Sequence, residues 1–340
     1  MRAPEFWRRD GLPAQLLTPL GLAYHLAGAI RRAVTTPWRG PLPVICVGNL
    51  VAGGAGKTPV TLSLLAVLAD GGLKPAALTR GYRGTAAGPL RVDPARHDAA
   101  TVGDEALLLA AAAPTWVARD RAAGAKAAAA AGADIIVMDD GFQNPGLHKD
   151  LSLVVIDGGY GLGNGRVMPA GPLRETPASG FARADALVIL GDAKAAIGET
   201  EKNLAGRLPV LRAALIPVEG APTDSLKGRR VFAFAGIARP EKFFRTLRTL
   251  GAEVVGTEAF ADHQPFSPAT ITRLRAAAAA AGAQLVTTAK DARRLGPALP
   301  PETAVLEVAL VWADEAALRR LLAPLMPRPS GPTPTRDSGA

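Results

Sequence analysis

A glycine-rich run between a strand-like and a helix-like segment, an apolar stretch that ends on two aspartates, and a steady alternation of strand and helix signals predict an α/β fold for this 340-residue sequence. The expected architecture is a P-loop NTPase-type parallel sheet flanked by helices. A second, smaller α/β/α lobe and an N-terminal membrane-associated helix complete it.

The N-terminal segment admits several readings. Residues 11–30 carry no charged side chain, with Arg8 and Arg9 before them and Arg31 and Arg32 after. A transmembrane helix needs about 20 apolar residues, and Pro13, Gln15, Thr18, Pro19 and His25 oppose it. A signal peptide cleaved at Ala27-Gly28-Ala29 would export a nucleotide-binding protein to a place without ATP. An amphipathic helix on a membrane surface fits better. Leu16, Leu20, Tyr24, Ala27, Ile30 and Val34 recur at three- and four-residue steps and form one apolar stripe. The first 40 residues hold six arginines against Glu5 and Asp10, a local net of +4 that suits anionic lipid. Packing against the protein's own core is the alternative.

From Pro43 the elements alternate. Val44–Val47 reads as a strand, Thr58–Ala69 as a helix stopped by Gly71-Gly72, and Ala76–Thr79 as a strand. Glu105–Ala113 and Arg121–Ala131 read as helices. Ile135–Met138, Leu153–Ile156 and Ala186–Leu190 are continuous apolar runs, as strands buried on both faces should be. Pro217 to Arg229 is a plausible boundary. Beyond it come strand Val231–Ala235, helix Pro240–Leu250, strand Ala252–Gly256, helix Pro268–Ala281, strands Gln284–Thr288 and Val305–Val311, and helix Asp314–Leu325. The tail 327–340 is rich in Pro, Ser, Thr and Gly and is expected to be disordered.

Composition narrows the function classes. The formal charge is +9, which attracts nucleotides, nucleic acid or anionic membrane alike. Aromatics are scarce and no arginine-rich run is interleaved with them, so nucleic acid is not an expected partner. The single cysteine, Cys46, lies in an apolar strand. It provides neither a disulfide framework nor a cysteine metal cage.

Gly53, Gly54, Ala55, Gly56, Lys57 and Thr58 form the phosphate cradle. Glycines let backbone N–H groups curl around phosphate oxygens, and a helix N-terminus adds positive potential. Lys57 would reach the β- and γ-phosphates of ATP, and Thr58 would ligate Mg²⁺. The strict pattern wants glycine at 51, where this chain has Val51. Asp140, with Asp139 beside it, supplies the acidic strand end that the metal needs, because a buried carboxylate calls for a cation.

Further runs carry a more specific signal: Val47-Gly48-Asn49-Leu50, Arg80-Gly81-Tyr82-Arg83-Gly84, Gly103-Asp104-Glu105, Asp139-Asp140-Gly141-Phe142-Gln143, Gly171-Pro172-Leu173-Arg174-Glu175, Phe260-Ala261-Asp262-His263 and Thr287-Thr288-Ala289-Lys290-Asp291-Ala292. In that order they resemble the tetraacyldisaccharide 4′-kinase family, from about residue 7 to about residue 325. Val51, Asn144 and Ala289 depart from the family pattern.

The resemblance implies ATP-dependent phosphorylation of the 4′-hydroxyl of an acylated glucosamine disaccharide 1-phosphate, with ATP and Mg²⁺ as cofactors. It implies peripheral attachment to the cytoplasmic face of a bacterial inner membrane, with no obligate protein partner. Residues 1–40 would be the membrane-contact region, 41–217 the P-loop kinase domain and 218–326 the C-terminal lobe. By resemblance, Asp104 is the base that takes the hydroxyl proton and His263 its partner across the lobes. Glu175 is a candidate magnesium ligand. Arg80, Arg119 and Arg174 are candidates for phosphate or transition-state contact. Lys290 and Asp291 lie at a strand end, without an assigned role. The competing reading is a P-loop ATPase or GTPase that acts as a switch or maturation factor. No Asn-Lys-x-Asp guanine reader is present, which disfavours the GTP form.

Overall fold

The computed structural model describes residues 4–191, 206–218, 220 and 226–326; the tail expected to be disordered lies outside the described residues. The elements run α1 (Leu12–Val34), β1 (Val44–Gly48), α2 (Lys57–Asp70), β2 (Pro75–Thr79), β3 (Leu90–Arg91), α3 (Ala99–Val102), α4 (Asp104–Ala110), β4 (Thr115–Val117), α5 (Arg121–Ala130), β5 (Ile135–Asp139), β6 (Leu151–Asp157), α6 (Pro177–Phe181), β7 (Ala186–Leu190) and β8 (Val210–Pro217). They continue with β9 (Arg230–Ala235), α7 (Pro240–Thr249), β10 (Glu253–Ala259), α8 (Pro268–Ala280), β11 (Gln284–Thr288), α9 (Ala289–Leu295), β12 (Ala304–Leu306), β13 (Val308–Trp312) and α10 (Glu315–Leu322).

Two sheets organise these elements. The larger has the order β13-β8-β7-β6-β1-β5-β2-β4-β3, and the smaller β10-β9-β11-β12. β1 pairs parallel with β5 on one side and β6 on the other. Among the described strands, only the edge strands β3 and β13 run antiparallel to their neighbours. β1, β2, β5, β6 and β7 are buried along their whole length, which is why they read as unbroken apolar runs. Apolar clusters cover both faces of the large sheet, one built on α5 and the loops after β5 and β6, the other on α2. Cys46 is buried in the first, and burial pushes its thiol up to about 12.

The chain leaves β1 through α2 to β2, returns to β5 beside β1, then crosses to β6 on the far side. Strand order therefore reverses at β1, and the carboxyl ends of β1, β5 and β6 open on one crevice. Open α/β sheets bind ligands at that point. Gly56 caps the start of α2 in the left-handed region at φ 84°, where a Cβ would run into Leu190. Only glycine turns the chain into the helix there without strain.

Three differences from the sequence reading have local causes. The expected strand Val305–Val311 is two strands in two sheets, β12 and β13. Glu307 separates them and accepts a backbone bond from Val218 through its carbonyl. The chain after Glu307 thus packs on the large sheet. Trp312 and Leu318 join the α2 cluster and the Trp312 Nε1–H donates to Ser63 Oγ at 2.8 Å, so 308–326 does not follow the lobe to which the sequence reading assigns 218–326. Strand β8 and the seven-residue helix α9 were masked in sequence by polar interruptions, Arg212 in one and Lys290, Arg293 and Arg294 in the other. None of the helices among the described residues is long and apolar enough to cross a membrane.

Because Leu318 packs in the cluster beneath the large sheet, Leu318→Ala should cost about 2–5 kcal/mol. Thermal melting with and without ATP tests this. The transition that ATP shifts should be the one that falls, and a loss confined to an ATP-insensitive transition would contradict the packing.

Candidate active site

The loop from Asn49 to Gly56 joins the buried end of β1 to the N-terminus of α2. Gly53 and Gly56 hold positive φ values of 110° and 84°, so the backbone curls back over the helix end. Asn49, fully buried, braces the curl by donating from Nδ2 to the carbonyl of Val51 at 2.6 Å and of Gly53 at 3.4 Å. Lys57 Nζ donates to Asn49 Oδ1 at 3.3 Å and lies 3.6 Å from Asp140 Oδ1.

The two aspartates after the apolar strand part ways. Asp139 points into the base of α2, where Thr58 and Thr61 hydroxyls donate to its two oxygens at 3.3 and 3.1 Å. No arginine or lysine pairs with it among the described residues. Burial and the charge of Glu105 push its carboxyl up to about 7, against the pull of Lys57. Asp140 turns outward in the left-handed region, φ 51°, and takes a two-pronged bond from Arg174 at 2.7 and 3.2 Å. Burial works to raise it, but Lys57 and Arg174 outweigh burial and hold its carboxyl well below the usual range.

Across the crevice, Gly103 at φ 88° delivers Asp104 to the first turn of α4, where it is 4% exposed. His263 Nδ1 sits 3.0 Å from both Asp104 oxygens. Arg294 of α9 donates to Oδ2 from Nη2 at 2.9 Å and from Nε at 3.2 Å. Burial would raise Asp104, but His263, Lys290 and Arg294 hold its carboxyl well below the usual range. On its other side, His263 Nε2 lies 3.1 Å from Lys290 Nζ and 3.6 Å from Asp262 Oδ1. Lys290 also pairs with Glu105 at 3.2 Å. Among the described residues, the non-glycine residues with positive φ are Arg83, Asp140 and His263. All three are in this region, and Arg83 Nη1 donates to the His263 carbonyl at 2.8 Å. Left-handed backbone at non-glycine residues persists only where surrounding contacts over-determine it.

Not every expected residue joins this group. Glu175 is fully buried and fully engaged. Arg183 Nη2 holds both its oxygens at 2.6 and 2.7 Å, Ser179 Oγ donates to Oε2 at 3.1 Å, and Gln143 Nε2 donates to Oε1 at 3.2 Å. It stands behind the Asp139–Asp140 pair as a brace. Arg119 is exposed, and its backbone N–H donates to the Ala87 carbonyl; among the described residues its side chain pairs with none of the cluster. The buried arginine is two residues on. Arg121, 4% exposed, has an Nε without a protein partner among the described residues. Burial pushes its guanidinium down to about 10, opposed by Asp140 and reinforced by Arg80. Its position after Asp120, which caps α5, is the sequence signal that could have singled it out. Arg294 was also missed. Its spacing from Lys290, four residues, puts both on one face of α9.

The chain matches the family profile described as tetraacyldisaccharide-1-P 4′-kinase over residues 13–326. It is similar to the tetraacyldisaccharide 4′-kinase of Rhodospirillum centenum, 57% identical over 96% of this chain and 97% of that one. The corresponding enzyme of Gluconacetobacter diazotrophicus is 55% identical over 95% and 97%. Among solved structures, the apo form of LpxK from Aquifex aeolicus in complex with ATP aligns with a TM-score of 0.77 at 27% identity, covering 93% of this chain and all of that one.

Asp139 carries a pH signature. A carboxyl at about 7 when folded and near ~3.9 when unfolded binds more protons in the folded state between those values, so its contribution to stability is lost as pH rises through that window. In metal-free, nucleotide-free protein, Asp139→Asn should gain melting temperature over wild type progressively from about pH 4 to about pH 7. A gap that is constant with pH would contradict the raised carboxyl.

Proposed function

The chain belongs to the tetraacyldisaccharide-1-P 4′-kinase family, and from that premise we infer how its residues perform the transfer. The reaction is phosphorylation of the 4′-hydroxyl of tetraacyldisaccharide 1-phosphate by ATP, a step of lipid A biosynthesis. The observation that carries the residue-level reading is the meeting of Asp104 with His263 and Arg294 opposite the Lys57 loop.

We propose that the backbone amides of Gly53 to Thr58 hold the triphosphate and that Lys57 meets its terminal oxygens. The positive end of α2 adds to that attraction. Thr58 Oγ1 with Asp139 and Asp140 offers hard oxygen donors of the kind Mg²⁺ accepts, alongside phosphates and water. Asp139, buried without a cationic side chain, is the group such an ion would relieve. When bound, Mg²⁺ neutralises charge on the transferring phosphoryl group. Glu175 bonds to Arg183, Ser179 and Gln143 rather than to Thr58 or Lys57, so we assign it a bracing role.

Asp104 is proposed to accept the proton of the 4′-hydroxyl. Held ionised by Arg294, Lys290 and His263, it is a weak base, and a weak base suffices. Phosphoryl transfer through a loose transition state asks mainly for alignment of the attacking oxygen and charge neutralisation. His263 fixes the carboxylate's orientation and shares the arriving proton's charge. Arg121 and Arg174 supply further positive charge to the crevice.

The lipid acceptor sets the location that we propose, the cytoplasmic face of an inner membrane, with α1 as the contact. Leu12, Leu16, Leu20, Leu22, Tyr24, Leu26, Ile30 and Val34 are all exposed on α1, an apolar surface that water does not favour. Ala14 and Gly21 face the protein.

Transfer of labelled γ-phosphate from ATP to tetraacyldisaccharide 1-phosphate in detergent micelles tests the roles. Asp104→Ala should slow turnover by about 10²–10⁴-fold with ATP affinity nearly intact. Lys57→Ala should lose both. Turnover of the Asp104 variant comparable to wild type would remove it from the role of base. Flotation with anionic vesicles should fall when Leu16 and Leu20 are changed to Ser, and unchanged flotation would remove α1 from the membrane role.

A further inference from the structure

Helix α1 has two faces, and the inner one is tied to the loops that follow β6. Asp10, just before it, pairs with Arg166 at 2.8 Å, and Arg166 Nη1 donates to Thr18 Oγ1 at 2.6 Å. A Cβ at Gly21 would lie 2.7 Å from the Val167 carbonyl oxygen, so the helix backbone sits directly on that loop. Further along, His25 Nδ1 accepts from the Thr176 N–H at 3.4 Å. Arg31 is exposed, whereas Arg32 turns inward with its side chain 17% exposed. Arg32 Nη2 donates to Ser179 Oγ at 3.2 Å and lies 3.6 Å from Glu175 Oε2.

Glu175 is the start of an unbroken polar chain. Gln143 Nε2 donates to Glu175 Oε1 at 3.2 Å, and Arg174 Nη1 donates to Gln143 Oε1 at 3.2 Å. The same Arg174 nitrogen donates to Asp140 Oδ1 at 2.7 Å, and that oxygen lies 3.6 Å from Lys57 Nζ. Each side chain touches the next, with Arg183 and Ser179 also holding Glu175 and the Asn49 carbonyl also holding Gln143. The amide of Gln143 can only present its oxygen to Arg174 while its nitrogen faces Glu175. Two arginines flank the buried Glu175 carboxylate, Arg183 at 2.6 Å and Arg32 at 3.6 Å.

We propose that Arg32 is a positioning residue: it carries the seating of the amphipathic helix through Glu175, Gln143, Arg174 and Asp140 to the lysine of the phosphate loop. This rests on the reading of Lys57 and Asp140 as the triphosphate site. A side chain on the element that faces lipid thereby sets the electrostatics of the nucleotide site on the other side of the β5–β6 loops. Linkage makes the effect reciprocal, so nucleotide binding also firms the seating of α1.

The test separates the two faces of α1 in the full-length enzyme. Arg32→Ala should raise KM for Mg·ATP by about three- to tenfold, the range of a coupled polar contact, with KM for the lipid and flotation on anionic vesicles unchanged. Arg32→Lys should recover at least half of the loss, because it restores the second cation, beside Arg183, at Glu175. Gln143→Met, which breaks the middle of the chain at similar volume, should reproduce the KM rise, and the Arg32→Ala, Gln143→Met double variant should be no worse than either alone. Arg31→Ala should do the opposite, weakening flotation with KM for Mg·ATP unchanged. The proposal falls if Arg32→Ala and Gln143→Met are folded, by thermal melting, with wild-type KM for Mg·ATP, or if their effects simply add. If Lys57→Ala retains wild-type nucleotide affinity, the reading of the triphosphate site falls instead.

Discussion

The structure depends on one buried charge. Asp104 is almost wholly removed from water, and a carboxylate in that position costs several kcal/mol unless cations repay it. Among the described residues, its own lobe offers it only a backbone N–H, from Glu105. His263, Arg294 and Lys290 all come from segments on or beside the small sheet. The two lobes therefore cannot part without stranding a charge. The same logic repeats nearby. Asp157, buried at the end of β6, is met by Arg239 at 2.6 Å and by Lys242, both at the start of α7. Between the two contacts, Ala238 abuts the phosphate loop, where a Cβ on Gly54 would lie 2.9 Å from its own.

This arrangement explains why the groups we propose for catalysis lie where they do. The reversal of strand order at β1 leaves a crevice that the first lobe alone can line with phosphate-binding groups. It cannot supply a second wall of positive charge on the opposite side. Helix α9 does so with Lys290 and Arg294, and the turn before α8 adds His263. The left-handed backbone at Arg83, Asp140 and His263 follows from the need to aim side chains into a shared space from three separate loops.

Much of this was legible in the sequence, and the reasons are physical. Ile135–Met138 and Leu153–Ile156 are buried on both faces, so apolar runs betray them directly. The loop we propose for phosphate binding is a local conformation written in adjacent glycines. Partners distant in sequence were legible only through the family resemblance. Nothing in the residues around Asp104 points to position 263. Short elements with a polar face escaped, which is how α9 and its Arg294 were missed. The likeness of one acidic loop residue to another also misled. Glu175 reads as a ligand in sequence, but its four bonds to Arg183, Ser179 and Gln143 make it a brace. Arg119 and Arg121 differ only in which side of a helix cap they fall, and that decides exposure or burial.

The central claim is that Asp104 and His263 act as one unit held across the two lobes. A double-mutant cycle on phosphate transfer to the lipid, with Asp104→Asn, His263→Ala and the pair combined, measures that directly. If the account holds, the double variant is about as slow as the slower single variant, because each change already breaks the unit. Losses that multiply independently would mean that the two residues serve separate functions, and the account would be wrong.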